Sequence, residues 1–129
     1  MIYKYLLLRQ GMKLGWTVEP NTFEQGLCIV HYGSVVVNGN ARIGKNARLH
    51  AGVNIGASGG DKEAPIIGDN VYFGPGAKVF GKIELGSNIA IGANAVVNKS
   101  FREENVALGG IPAKIISENR SMRLINRTE

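Results

Sequence analysis

From Val37 onward, every sixth residue comes from one chemical class. Val37, Ile43, Leu49, Ile55, Ile67, Phe73, Val79, Leu85, Ile91 and Val97 are apolar, and only Asp61 breaks the series. Glycine often follows the anchor, at Gly44, Gly56, Gly68, Gly74, Gly86 and Gly92. Four places after the anchor stands a small or aliphatic residue: Ala41, Ala47, Val53, Val71, Ala77, Ile83, Ile89 or Ala95. A six-residue period matches neither the helical repeat nor strand alternation. It predicts an all-β chain, a parallel β-helix in which short flat segments alternate with tight corners and each coil stacks on the last. The anchors then form ladders inside a prism. Three hexads give about 18 residues per coil, with coils about 4.8 Å apart. Residues 25–102 supply a little over four coils.

The rhythm fails in "GASGGDKEAP" (56–65), where glycine, charge and proline replace the anchors. That stretch reads as a loop or distorted rung leaving the prism, and loops on rigid scaffolds often carry function. Residues 2–15 read as a short amphipathic helix stopping near Gly15, with "EPN" (19–21) turning into the first coil. The organisation is therefore a helix and turn over 1–20, a β-helix over 21–113, and a tail or short helix over 114–129.

Composition narrows the partners. The 129 residues carry a formal charge of +5, which suits a phosphate-bearing small ligand, nucleic acid or an anionic surface, or is simply a solvated basic surface. No aromatic-rich basic face or known motif supports nucleic acid. The run "YLLL" (5–8) is too short to span a bilayer. The single cysteine, Cys28, excludes an internal disulfide, fits a reducing, cytoplasmic setting and reads as a small core residue.

The chain has two histidines. In the six-residue frame His31 takes an anchor slot, where burial without a partner costs a few kcal/mol. Either the frame holds and the imidazole is buried, or the first coil is irregular and it projects outward. His50 follows 19 residues later, one coil plus one residue, which stacks it over Tyr32 and diagonally beside His31, near the loop after Ile55. Two histidines without further ligands make a poor zinc site. An imidazole is well suited to deprotonate a hydroxyl.

The segments "GLCIVHYGSVVVN", "ARIGKNARLHAGVNIGASGGD", "PIIGDNVYFGPGAKVFGKIELGSNIAIGANAVV" and "GGIPAKII" resemble the hexapeptide-repeat acyltransferases. The likeness spans about residues 17–116 and is closest to the serine O-acetyltransferase branch, in particular its short forms from surface and capsular polysaccharide clusters. The resemblance implies a left-handed β-helix, a homotrimer, and acetyl-CoA in the groove between neighbouring prisms, with no metal. By position, His31 matches the catalytic histidine. Ala57 falls where a backbone N–H would face the developing oxyanion, and Gly59 and Gly60 fall in the loop on the acetyl-CoA side. Gly74, Gly92 and Ala93 would line the pantetheine arm, and Lys99, Pro112 and Lys114 lie near the nucleotide end.

The chain departs from the branch in its carboxylates. The aspartate that orients the catalytic histidine is missing, and only Glu19 lies in that stretch, slightly out of register. Val30 and Asn38–Gly39 stand where acids are found, and Ala64 stands where a second histidine is found. Those losses favour a neutral sugar hydroxyl, contacted by Tyr32, Asn38, Asn40 and His50, over serine. The expected activity is acetyl-CoA-dependent O-acetylation of a sugar or polysaccharide precursor. The alternatives are a serine acetyltransferase proper or a non-catalytic trimeric scaffold.

Overall fold

Three parallel sheets share the chain, each taking one short segment from every coil. The computed structural model describes residues 2–31 and 33–118. The first sheet stacks β1 (Trp16–Val18), β3 (Val35–Val37), β6 (Asn54–Gly56), β9 (Lys78–Phe80) and β12 (Val96–Val97). The second stacks β4 (Arg42–Ile43), β7 (Ile66–Ile67) and β10 (Glu84–Leu85), extended by single bridges to Phe23 and Phe101. The third stacks β2 (Cys28–Ile29), β5 (Arg48–Leu49), β8 (Tyr72–Phe73), β11 (Ala90–Ile91) and β13 (Val106–Gly109). This is the parallel β-helix that the repeat predicts. All ten apolar anchors and all eight small residues four places after them are buried, whereas Asp61 is exposed.

The register explains both irregularities. Val37 pairs with Ile55 and Phe73 with Ile91, each a step of 18 residues. Across the loop, Leu49 pairs with Phe73 and Ile55 with Val79, steps of 24. The loop therefore inserts one whole hexad, which leaves the anchors on either side in phase. In the first coil Ile29 pairs with Leu49, a step of 20. The two extra residues lie in the corner between β2 and β3, so the frame fails there and Ile29, not His31, packs against the core. His31 is exposed. Cys28 is exposed as well, contrary to the core position expected of it, because strand alternation turns it away from the inward-facing Ile29.

An asparagine column sets the corners between the second and third sheets. Asn46, Asn70, Asn88 and Asn105 hold the corners between the second and third sheets at φ of 59°, 55°, 57° and 60°. Asparagine adopts this left-handed region more readily than most residues. The side chains join successive coils: Asn46 Nδ2 donates to Asn70 Oδ1 and Asn70 Nδ2 to Asn88 Oδ1, each at 3.1 Å. Asn70→Ala strains the corner and breaks both bonds, and is expected to cost about 1–3 kcal/mol. A lower denaturant midpoint with an unchanged slope is the signature; an unshifted midpoint contradicts the assignment.

Each end of the prism carries an added element. The helix α1 (Ile2–Leu14) matches the expected span and stops at Gly15, whose φ of 77° is that of a helix-ending residue. It packs on β1 through the buried Gly11, where a side chain would collide with the carbonyl of Trp16. No described helix is long and apolar enough to cross a membrane. At the other end β14 (Lys114–Glu118) pairs antiparallel with β13. The tail or short helix expected from residue 114 thus begins as a strand, because the hairpin supplies partners for a backbone that has no further coil. Residues 119–129 lie outside the described residues.

Candidate active site

The corner joining the third sheet to the first carries His31, His50, Gly74 and Gly92 on successive coils. The two histidines meet there, with ring centroids 6.3 Å apart and planes inclined at 58°. The expected stacking of His50 over Tyr32 follows from a first coil of three hexads, a step of 18 residues. The step of 20 instead sets His50 level with Val30. Tyr32 itself lies outside the described residues.

His50 is the better anchored of the pair. It is half-buried, its backbone N–H reaches the Phe73 carbonyl at 3.3 Å and its Nδ1 reaches the same oxygen at 3.0 Å. The Tyr72 ring packs on it with a centroid separation of 5.0 Å. His31 borders a cleft of about 430 Å³ with Trp16, Ile29 and Val30. Further along, a second cleft of about 410 Å³ runs past Tyr72 and Gly92 to Ile116 and Ser117. Trp16 and Tyr72 escaped the sequence reading. Tyr72 carried a usable signal, since it precedes the anchor Phe73 and alternation turns it outward. Placing it beside His50 needs the 24-residue step.

The other expected contacts fall elsewhere. Asn38, Asn40, Ala57, Gly59, Gly60 and Lys99 occupy the opposite corner, between the first and second sheets, so the first sheet separates them from the histidines. The proximity of the histidines to the loop expected after Ile55 does not occur within one chain. Asn40 instead pins the loop, donating from Nδ2 to the Lys62 carbonyl at 2.7 Å while its backbone N–H meets Asn38 Oδ1 at 2.8 Å. Nothing lies within 4 Å of a side chain built at Gly59 or Gly60, so the loop tip projects into open space.

Gly74 is buried, and a side chain on it would stand 2.8 Å from the Ala93 nitrogen. Its bareness serves the stacking of coils; Gly92 and Ala93 are more open. Lys99 lies over the Phe101 ring, 5.2 Å from its centroid. Pro112 and Lys114, in and after the turn between β13 and β14, are exposed at that same end of the prism. Below the loop, a groove of about 460 Å³ is rich in charge, but its acids are paired: Glu63 with Lys82 and Glu84 with Arg102, both at 3.0 Å. Glu63 holds the Lys82 ammonium above its ordinary value through their hydrogen bond.

Glu19 does not reach His31. Its Cγ would lie 3.1 Å from a side-chain carbon on Gly39, at the loop corner, and among the described residues no ion pair joins either imidazole to a carboxylate. No described cluster of three or more histidine, cysteine or acidic side chains could hold a metal ion.

No family profile matches the chain. The serine acetyltransferase of Mycobacterium tuberculosis is 39% identical over 94 residues, which is 71% of this chain and 41% of that protein. A Brucella abortus serine acetyltransferase solved with coenzyme A superimposes with a TM-score of 0.79 at 32% identity, over 90% of this chain and 47% of that one. This chain is serine acetyltransferase-like. A Neisseria gonorrhoeae serine acetyltransferase solved with serine adds a TM-score of 0.73 at 32% identity, over 87% of this chain and 48% of that one. The serine acetyltransferase-like chain spans less than half the length of these relatives. In it, Ala64 is buried and Val30, beside His31, is half-buried.

Proposed function

We propose that the chain transfers an acetyl group from acetyl-CoA to a hydroxyl, with His31 as general base. The supporting observation is the meeting of both histidines on one corner of a prism that superimposes on serine acetyltransferases, one solved with coenzyme A and one with serine. Serine is the first acceptor to test, because the relatives favour it over the sugar expected from the residues alone. The uncharged Val30 and Ala64 keep a neutral sugar hydroxyl as the second reading.

In the reaction, His31 takes the hydroxyl proton as the oxygen attacks the thioester carbonyl. Backbone N–H groups near Ala57 stabilise the oxyanion, and the departing thiolate regains the proton from the imidazolium. Gly92 and Ala93 lie beside the pantetheine arm, and Lys99 and Lys114 near the nucleotide phosphates. Because the first sheet divides the histidine corner from the loop corner, a complete site takes the loop from a neighbouring copy. A homotrimer of left-handed prisms meets that need, and the hand is supported by superposition, which is sensitive to it. Acetyl-CoA use and the lone free thiol fit the cytoplasm.

The test is thiol release from acetyl-CoA with serine, hexoses and amino sugars. Transfer to one of these is expected; failure to bind coenzyme A by calorimetry favours the scaffold. Sharing of sites has its own test. Deleting residues 58–63 removes one hexad and restores a step of 18 without disturbing the anchors. That variant and His31→Ala are each expected to be inactive, while an equal mixture assembled together recovers about one quarter of wild-type activity. No recovery means that each chain acts alone.

A further inference from the structure

We infer that His50 is a hydrogen-bond acceptor that selects substrates carrying a second N–H or O–H beside the reacting hydroxyl. The inference rests on the acetyl-transfer reading and goes beyond it to the acceptor's chemistry. A carbonyl oxygen has lone pairs and no hydrogen, so the 3.0 Å contact between His50 Nδ1 and the Phe73 oxygen requires the hydrogen on Nδ1. A neutral imidazole has one such hydrogen. In that neutral form Nε2 carries the lone pair, and the ring's one hydrogen bond among the described residues is the one at Nδ1. Tyr72, packed at 5.0 Å, holds the ring in that orientation.

The spacing to His31 shows what Nε2 is free to do. With centroids 6.3 Å apart, and each nitrogen about 1.1 Å from its ring centre, the two rings approach no closer than about 4 Å, too far for a direct hydrogen bond. The gap admits a substrate group. A reacting hydroxyl has a single hydrogen, which goes to His31 and leaves none for His50. A neighbouring donor on the substrate satisfies Nε2, and a bound substrate without one leaves it unpaired. Val30, level with His50, is uncharged, and no described ion pair joins either imidazole to a carboxylate, so a neutral acceptor is what this corner offers. The ammonium of serine and the vicinal hydroxyl of a sugar share the required chemistry.

Two measurements on the full chain test this. Long-range proton–nitrogen NMR in alkaline buffer should find His50 as the Nδ1–H tautomer; an Nε2–H tautomer overturns the inference whether or not the chain is an enzyme. The second compares kcat/KM for matched acceptors: serine against 3-hydroxypropionate, and a hexose against its analogue lacking the neighbouring hydroxyl. Wild type should prefer the donor-bearing member by about tenfold or more, mainly through KM. His50→Phe should reduce the preference to about threefold or less, and His50→Gln, which keeps an acceptor, should retain part of it. The pair that discriminates tells ammonium from hydroxyl. Equal discrimination by wild type and His50→Phe overturns the selection alone, whereas no transfer to any acceptor overturns the acetyl-transfer reading and the selection with it.

Discussion

His31→Ala is expected to lower acetyl transfer by about 10²–10⁴-fold, the usual contribution of a general base, and to leave the fold untouched. The side chain is exposed and makes no core contact, so the change in stability should stay within about 0.5 kcal/mol. Turnover measured beside a thermal melt separates the two effects. The remaining rate reports how much the cleft achieves by holding two substrates together. Wild-type turnover from a pure, folded variant would remove His31 from the chemistry.

Phe73→Ala carries the largest expected loss of stability. Phe73 is fully buried and is the largest such side chain in the prism. It pairs with Leu49 below and Ile91 above, so truncation opens a cavity that neither coil can fill while keeping its ladder. The cost should be about 3–5 kcal/mol, a large share of the roughly 5–15 kcal/mol that holds a domain folded. Phe73→Leu should cost much less. Because the carbonyl of Phe73 also positions His50, surviving activity in Phe73→Ala should show weakened acceptor discrimination before loss of turnover. Denaturant unfolding gives the first quantity and kcat/KM for paired acceptors the second. An unchanged midpoint contradicts the central packing role.

The coil was legible because its signal is a translation: any two anchors six apart, such as Phe73 and Val79, carry the same information. The hexad loop left that frame intact, which is why the anchors on either side of Asp61 stay in phase although Asp61 itself is exposed. The first coil was not legible. Two additional residues near His31 shift the phase, and nothing in "IVHYGS" marks where they enter. The position of His50 relative to His31 was therefore off in register although the meeting itself was correct. The separation of Asn38 and Asn40 from the histidines was missed for another reason. A repeat length says how far apart residues lie along the chain, but which corner each occupies depends on where every coil begins. The role of Glu19 fell to the same gap, since its reach toward Gly39 is a matter of side-chain direction.

Stacked coils pose a growth problem. An unfinished rung displays a row of amides and carbonyls that any similar rung could extend, and the outcome would be a fibre. Here α1 packs beside β1 on the first rung, and at the far end the chain reverses so that β14 runs against β13. A newcomer reading the parallel register of the prism would find the opposite polarity there, flanked by Lys114 and Glu118. The reversal thus makes that last rung a poor seed for end-to-end growth, which turns attention to the lateral faces as the surfaces where copies can meet.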